Sequence, residues 1–289
     1  MTEVLKQKGP EILKNIYLPH LATVEEIREE ALDIKTFKLV FQDEEVRKSF
    51  TYRSGQFVEF SMFGVGEAPF CLASSPTREG YIECSVKKMG KVTQAVHELE
   101  EGETVGIRGP YGNSFPLEEM KGKNLIFVGG GIGLAPLRSL IWNVIDTRDN
   151  FKDVIIVYGA RNVEGLVYKN ELKQWQNTPG VNLALTVDPG GETKDWKGEV
   201  GFVPAILEKV NPSSENSVVI TCGPPIMIKF VLVALDKMNF SPQQIITTLE
   251  KKMTCGLGQC GRCNIGHVFV CKDGPVFTYA QIKEFQEEI

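Results

Sequence analysis

Residues 20 to about 117 alternate apolar and polar side chains with a period of two. This period is typical of strands that bury one face, and glycine and proline separate the alternating stretches as turns do. The pattern predicts strands in TVEEIREE (23–30), IKTFKLVF (34–41), GQFVEFSMF (55–63), YIECSVKKM (81–89) and ETVGIRG (103–109). One stretch with helical spacing, VTQAVHELE (92–100), interrupts them. Many short strands separated by turn signals predict an antiparallel β-barrel.

Beyond this region, continuous apolar runs alternate with stretches of helical spacing, which indicates a parallel α/β sheet. The predicted strands are NLIFVGG (124–130), VIIVYGA (154–160), VNLALTVD (181–188) and SVVITC (217–222). The predicted helices are APLRSLIWNVID (135–146), LVYKNELKQWQN (166–177), GFVPAILEKV (201–210) and MIKFVLVALDKM (227–238). We therefore predict a β plus α/β fold. Its parts are a polar arm (1–19), a β-barrel (20–117), a Rossmann-like α/β domain (118–245) and a small C-terminal segment (246–289).

Four of the seven cysteines fall within residues 253–274, MTCGLGQCGRCNIGHVFVCKDG. Their spacing is C-x4-C-x2-C-x7-C, and its first part matches the plant-type [2Fe–2S] pattern. The glycines between them let the backbone approach an anionic cluster. A single zinc ion is the rival, although zinc sites usually pair two C-x2-C clasps and only one is present here. Four unrelated thiols are the third possibility. The candidate ligands are Cys255, Cys260, Cys263 and Cys271.

A glycine-rich turn joins the first strand of the predicted α/β domain to its helix. In LIFVGGGIGLAPL (125–137), Gly130, Gly131, Gly133 and Pro136 occupy the positions of a dinucleotide-binding turn. Such a turn brings a pyrophosphate to a helix N-terminus. Tight packing of the turn is the alternative use of these glycines. The strand–turn–helix context favours an NAD(P) site.

Two more strand ends are candidates for the same nucleotide. Cys222, Gly223 and Pro224 follow a predicted strand at the carboxyl edge, where α/β sheets bind ligands. A small buried hydrophobe is the alternative role of Cys222. Arg161 follows the strand VIIVYGA and is either a contact to a 2′-phosphate or a solvated loop residue. The choice between NAD and NADP therefore stays open.

Composition narrows the function classes further. Hydrophobic residues make up 42% of the 289 residues and charged residues 24%, as in ordinary globular proteins. The net charge of −5 gives no support for nucleic-acid binding. The N-terminal sequence has no continuous apolar core, as a secretory signal would have, and no stretch is long and apolar enough for a membrane span. We expect a cytoplasmic protein, in which clustered thiols bind metal rather than form disulfides.

The order of barrel, glycine-turn domain and CGPP resembles the ferredoxin–NADP reductase superfamily over about residues 20–240. That family has Arg-Pro-Tyr-Ser where this chain has APFC (68–71), and CSVK (84–87) resembles the strand before its FAD pyrophosphate site. The resemblance implies that the thiol of Cys71 lies near the flavin and that Cys222 lies beside the nicotinamide. Lys87 or the N-terminus of the 92–100 helix would offset the phosphate charge in place of the missing arginine. The FAD contacts implied by the resemblance are Pro69, Phe70, Cys71, Leu72, Val86, Lys87, Gly90, Val92 and Thr93.

With the cysteine segment added, the chain resembles the gamma subunits of cytoplasmic NAD(P)-linked [NiFe] hydrogenases. The motifs RGPYGNSFP (108–116) and CGLGQCGRCN (255–264) carry this likeness. It implies an electron-transfer subunit that handles NAD(P)H through FAD and a [2Fe–2S] cluster. It also implies iron–sulfur and catalytic partner subunits in a larger redox complex.

Other functions stay open on the sequence. Electron-transfer subunits of dihydroorotate dehydrogenase, anaerobic sulfite reductase and bifurcating NADH-dependent ferredoxin–NADP oxidoreductases share the layout. A non-enzymatic iron–sulfur redox sensor and a zinc-stabilised binding domain are alternatives from different classes. Turnover with NAD(P)H separates the sensor from the electron-transfer subunit, and metal analysis separates the zinc domain from both.

Overall fold

The computed structural model describes residues 15–287, with side chains described through Phe285. The first fourteen residues of the predicted polar arm lie outside the described residues. Six antiparallel strands form the first domain, in the spatial order β4-β3-β6-β1-β2-β5. Their bounds are β1 (His20–Ala31), β2 (Ile34–Phe41), β3 (Phe57–Met62), β4 (Gly66–Cys71), β5 (Ile82–Lys87) and β6 (Thr104–Tyr111).

Alternating residues of these strands fill one core. Phe37 and Leu39 of β2, Phe60 of β3 and Val86 of β5 are fully buried in it. Between them, Lys38 of β2 is only half-buried and reaches solvent. The period-two pattern therefore arises because successive side chains of a strand point to opposite faces. The predicted barrel-type antiparallel domain is confirmed.

Two short helices accompany the barrel. Helix α1 (Glu44–Ser49) begins at Asp43, whose carboxylate accepts hydrogen bonds from the backbone N–H groups of Glu45 and Val46. Sequence reasoning missed α1, although an Asp cap followed by two glutamates is a helix-start signal. Helix α2 (Lys91–His97) corresponds to the predicted helix at 92–100.

A seven-stranded sheet forms the second domain, in the order β10-β9-β8-β7-β11-β12-β15. All neighbouring strands are parallel except β12 and β15, which are antiparallel. The bounds are β7 (Asn124–Gly130), β8 (Val154–Ala160), β9 (Val181–Val187), β10 (Glu199–Val200), β11 (Ser217–Cys222), β12 (Ile245–Thr248) and β15 (Val276–Thr278). This confirms the predicted parallel α/β architecture.

Helices connect the strands of this sheet. They are α3 (Leu117–Met120), α4 (Leu134–Asp146), α5 (Lys169–Gln176), α6 (Val203–Val210) and α7 (Pro225–Lys237). Helix α4 is buried along most of its length, and its core cluster continues into the barrel at Ile34 and Ala73. No helix within residues 15–287 is long and apolar enough to cross a membrane.

The cysteine segment folds against both domains. It contains the small hairpin of β13 (Asn264–Ile265) and β14 (Val268–Phe269), followed by α8 (Val270–Asp273). Strand β15 then joins the edge of the large sheet, and α9 (Tyr279–Glu287) follows it. Ile282 and Phe285 of α9 are buried. Strand β15 therefore anchors the cysteine segment to the seven-stranded sheet of the second domain.

A buried ion-pair network joins the two large domains. Arg138 of α4 donates to Glu83 of β5 at 2.6 Å and to Glu171 of α5 at 2.6 and 2.7 Å. Arg28 of β1 holds the other oxygen of Glu83. Burial alone would raise the pKa of Glu83, but Arg138 and Arg28 outweigh it and keep the pKa below its usual value. The network fixes the barrel against the α/β domain.

Candidate cofactor and electron-transfer site

The four clustered cysteines converge as two pairs. Cys260 helps to lower the pKa of Cys255, and the N–H of Cys271 donates to the sulfur of Cys263 at 3.5 Å. Cys263 and Cys271 are buried, Cys255 is half-buried and Cys260 is exposed. The loop 255–271, here called the cluster loop, therefore presents one edge to solvent at Cys260.

Backbone N–H groups surround the sulfur of Cys255. Leu257 donates at 3.3 Å and Gln259 at 3.4 Å. Burial opposes ionisation of this thiol, but the N–H groups of Leu257, Cys260 and Gln259 lower its pKa to about 6. Donors aimed at a sulfur stabilise the thiolate, which is the form that binds metal.

The second pair lies deeper in the loop. Gly258 donates its N–H to the sulfur of Cys271 at 3.1 Å. Burial, followed by the neighbouring thiol of Cys263, raises the pKa of Cys271 to about 12. Gly258 has a φ of +73°, a conformation that glycine adopts without strain. Gly258 therefore lets the loop turn its N–H group towards the sulfur of Cys271.

The donor set of the cluster loop is four thiols. Four thiolates, three of them at the plant-type spacing, are the ligands that a [2Fe–2S] cluster takes. A [2Fe–2S] cluster needs two ligands on each of its two irons, which two thiol pairs provide.

The cluster loop rests on the barrel at β6. A Cβ on Gly256 would lie 2.6 Å from the ring of Tyr111, so only glycine permits this approach. Arg108 of β6 donates to the carbonyl of Cys255 at 3.4 Å and to the hydroxyl of Tyr111 at 3.0 Å. Two further bonds, at 2.7 and 2.9 Å, join Arg108 to Glu67 of β4. Sequence reasoning missed Arg108 and Glu67.

A second carboxyl lies beside this arginine. Glu59 of β3 stands opposite Arg108 in the strand register and is fully buried. Neither of its oxygens has a hydrogen-bond partner in the described structure, because Arg108 is committed to Glu67. Burial raises the pKa of Glu59 to about 7, although Arg108 opposes the shift.

We expect Glu59→Gln to flatten the pH dependence of stability. The folded pKa of Glu59 lies above its unfolded value, so the unfolded state loses this proton first as pH rises. The free energy of unfolding of the wild type should therefore fall between about pH 4.5 and 7, by up to about 3 kcal/mol from this group. Urea unfolding across this range measures it, with the exposed Glu119→Gln as control. Equal pH slopes for wild type and Glu59→Gln would contradict the assignment.

The predicted flavin residues of β4 line a half-exposed face of the barrel. Pro69, Phe70 and Cys71 are half-buried, and the ring of Phe70 meets Phe60 edge-on at 5.9 Å. Leu72, by contrast, is fully buried in the barrel core, as Val86 of β5 is. A ligand on this face would reach that leucine only through its backbone.

The end of β5 and the start of α2 form the second part of this face. A Cβ on Gly90 would meet nothing within 4 Å, so there is open space beside the helix start. The hydroxyl of Thr93 accepts from the N–H of Gly90 at 2.8 Å and thus caps α2. The side chain of Val92 packs close to Gly66, where an added Cβ atom would lie 3.3 Å from it. Lys87 pairs with Asp33 at 3.3 Å.

Cys71 of the barrel and Cys222 of the α/β domain pack against the same core cluster at the domain boundary. Burial raises the pKa of Cys71 to about 12, with smaller contributions from Cys222 and Glu250. Burial likewise raises the pKa of Cys222 to about 11, although the hydroxyl of Thr248 donates to its sulfur at 3.0 Å. Both groups are therefore neutral thiols at physiological pH. Neither is prepared to act as a nucleophile.

The glycines of the predicted dinucleotide-binding turn have two different roles. Cβ atoms on Gly130 and Gly133 would clash, at 2.4 Å with Met227 and at 2.6 Å with the carbonyl of Cys222. Gly130 therefore packs closely against α7, and Gly133 against the end of β11. Gly131 has a φ of +55° and open space around its Cβ position. It is the glycine of this turn that leaves room for a ligand.

The remaining predicted nucleotide residues lie along the same edge of the sheet. Pro136 is in the first turn of α4, where its missing N–H breaks no helix bond. Gly223 and Pro224 lie between β11 and α7, next to Cys222. Arg161 is exposed just after β8. The structure thus gathers these residues at the carboxyl ends of neighbouring parallel strands.

Comparison with known proteins identifies the three parts. The family "Oxidoreductase FAD-binding domain" matches residues 21–115, and "Oxidoreductase NAD-binding domain" matches residues 127–232. "Iron-sulfur cluster binding domain of dihydroorotate dehydrogenase B" matches residues 250–283. The "Sulfhydrogenase 2 subunit gamma" of Pyrococcus furiosus is 38% identical over 92% of this chain and 96% of that protein. This chain belongs to the family of FAD- and iron–sulfur-binding electron-transfer subunits.

Two further similar proteins support the same family assignment. A "Probable dihydroorotate dehydrogenase B (NAD(+)), electron transfer subunit" of Methanocaldococcus jannaschii is 33% identical over 93% of each chain. A solved NADH-dependent reduced ferredoxin-NADP oxidoreductase is 25% identical, with a TM-score of 0.72 over 92% of each chain. The resemblance to the ferredoxin–NADP reductase superfamily and the predicted FAD, NAD and iron–sulfur cofactors are confirmed. The chain is an oxidoreductase-type, redox-active subunit.

Proposed function

We propose that this chain carries electrons between NAD(P)H and a hydrogenase-type partner subunit, through FAD and a [2Fe–2S] cluster. One observation carries the proposal: a single barrel touches both neighbouring sites. At one end Cys71 of the barrel and Cys222 of the nucleotide domain pack against the same core cluster. At the other end Arg108 bonds to Cys255 of the cluster loop. A flavin on this barrel would lie between the two.

The proposed flavin residues bind and orient the cofactor. Phe70 presents its half-buried ring, held edge-on by Phe60, and Gly90 leaves open space at the start of α2 for a phosphate. FAD, when bound, supplies the exchange between two-electron and one-electron chemistry. The thiol of Cys71 stays protonated and offers a weak hydrogen bond. The full proposed set is Pro69, Phe70, Cys71, Leu72, Val86, Lys87, Gly90, Val92 and Thr93.

The proposed nucleotide residues surround the neutral thiol of Cys222. Its pKa of about 11 keeps it uncharged, so it shapes the nicotinamide pocket without attacking the ring. Gly131 leaves room for the pyrophosphate near the start of α4. Arg161 is exposed and available to a 2′-phosphate. The full proposed set is Gly130, Gly131, Gly133, Pro136, Arg161, Cys222, Gly223 and Pro224.

The cluster loop is the proposed electron outlet. Cys255 and Cys260 would hold one iron, and Cys263 and Cys271 the other. The N–H groups of the loop stabilise the thiolates and shift the potential of whatever metal they hold. The exposed position of Cys260 supports an outlet at this edge.

The relatives favour a hydrogenase-type partner. Sulfhydrogenase gamma subunits are 38% identical to this chain, against 33 to 36% for dihydroorotate dehydrogenase B electron-transfer subunits. The proteins of both groups are named as subunits, which supports a role inside a complex. A dihydroorotate-linked partner is the second candidate.

The test follows NAD(P)H oxidation in protein purified without oxygen. On mixing with NADH or NADPH, the yellow absorbance should bleach first. The electron paramagnetic resonance signal of a reduced [2Fe–2S] centre should follow, and turnover should continue with a one-electron acceptor. A redox sensor would show the cluster signal without sustained turnover. Protein that contains zinc and no acid-labile sulfide would contradict the proposal.

A further inference from the structure

The exposed edge of the cluster loop has an apolar neighbour. Ile16, Tyr17 and Leu18 precede β1 and are 53%, 50% and 69% exposed, and Leu21 of β1 is 45% exposed. The hydroxyl of Tyr17 donates to Gln259, inside the cluster loop. Tyr17 therefore contacts the residue next to Cys260, and Ile16 and Leu18 adjoin Tyr17 in the chain. These three residues and Leu21 are here called the apolar patch. Exposed apolar side chains that adjoin one another mark interaction surfaces.

Four cations lie within or next to the cluster loop along the chain: Lys251 and Lys252 before it, Arg262 inside it and Lys272 directly after it. Lys251, Lys252, Arg262 and Lys272 are exposed, and none of them forms an ion pair within residues 15–287. The alkyl chain of Lys272 lies 3.0 Å from the Cβ position of Gly258, so this lysine lies directly on the cluster loop. We call these four residues the cationic rim.

The rim is not neutralised by its own segment. Residues 250–273 contain two carboxylates, Glu250 and Asp273. The four cations outnumber these two carboxylates, so the segment is net positive on a chain whose net charge is −5. Such a local reversal of sign attracts a partner of opposite charge.

We infer that the apolar patch and the cationic rim form the docking surface for an acidic redox protein. The inference rests on the proposed function, because it assigns the exposed edge of the cluster loop as the electron outlet. An apolar centre with a charged rim is the usual anatomy of a protein interface. Fast single-electron transfer requires close approach of two centres, and Cys260 is the cluster cysteine that a partner can approach. The rim steers an acidic partner, and the patch holds it.

The experiment uses the complete holoprotein and two small one-electron acceptors of opposite charge. These are an acidic plant-type [2Fe–2S] ferredoxin and basic cytochrome c. The variant Lys251→Glu/Lys252→Glu reverses half of the rim. Its matched control, Lys194→Glu/Lys197→Glu, reverses two exposed lysines before β10, at the opposite edge of the sheet from β15.

Binding of oxidised ferredoxin, measured by calorimetry, tests the surface whether or not NAD(P)H reduces the protein. At about 0.01 M ionic strength we expect the rim variant to bind about tenfold more weakly than wild type and control. Near 1 M salt the difference should vanish, because the Debye length is then about 3 Å. Equal binding by the rim variant and the control would overturn the inference.

Electron transfer adds an independent readout. The rim variant should reduce ferredoxin more slowly and cytochrome c faster, whereas Leu18→Ser should weaken ferredoxin binding without changing its salt dependence. Wild-type protein that prefers cytochrome c at low salt would also overturn the inference. Failure of the proposed function looks different, because NAD(P)H would then leave the cluster oxidised while the binding differences persist.

Discussion

Replacing Cys263 with serine should abolish electron delivery to one-electron acceptors while sparing reactions at the flavin. Cys263 is buried, and its sulfur accepts a hydrogen bond from the N–H of Cys271 at 3.5 Å. Serine keeps the volume but replaces the soft thiolate by a poor ligand. Cluster-dependent reduction of ferredoxin by NAD(P)H should fall at least about 100-fold. Reduction of a neutral quinone, which reacts at the flavin, should change by less than about threefold.

The control for this variant is Cys84→Ala. Cys84 is equally buried but lies in the barrel core, away from the cluster loop. It should retain full iron and acid-labile sulfide, at a cost in stability set by the small cavity. Equal loss of iron in both variants would mean that buried thiols in general, rather than the cluster loop, hold the metal.

Replacing Arg138 with methionine should destabilise the protein by about 3 to 5 kcal/mol, because the buried Glu83 would keep only Arg28 and the half-buried Glu171 would keep only the indole N–H of Trp142. The side chain of Arg138 is 4% exposed and also donates to the carbonyl of Ala73 at 2.8 Å. Methionine fills the volume, so the loss reports on charge rather than on a cavity. Urea denaturation measures the free energy of unfolding.

Arg138→Lys and Arg78→Met give the matched comparison. Lysine keeps the charge but cannot reach both carboxylates with a planar fork, so an intermediate loss is expected. Arg78 pairs with Asp146 at 3.4 Å near the surface, and its removal should cost less than about 1 kcal/mol. A loss below 1 kcal/mol in Arg138→Met would contradict the role of the network in joining the domains.

The fold could be predicted where the local pattern decides it. The alternating pattern of β2 corresponds to a strand with one buried face. The continuous apolar run of β7 corresponds to a strand with two buried faces. Strand β12 was not predicted, because its four residues are held by partners distant in sequence. It pairs with β11 on one side and with β15, beyond the cysteine loop, on the other. No local signal marks such a strand.

The candidate site was also predictable only where the local sequence decides it. The cysteine spacing is local, so the cluster ligands could be predicted. Arg108 and Glu59 face each other only through the register of β6 against β3, and a sequence pattern does not contain that register. Arg138 looks like a solvated residue of an amphipathic helix until the barrel covers it. The turn glycines matched a nucleotide motif, yet two of them serve close packing against α7 and the strand end before it.

The most direct test counts electrons and cofactors per chain. Protein purified without oxygen should contain one FAD, two irons and two acid-labile sulfides. Titration with dithionite should consume three electron equivalents per chain, two at the flavin and one at the cluster. Excess NAD(P)H should reduce both centres. A protein that takes up no electrons, or that holds one zinc ion and no flavin, would contradict the account.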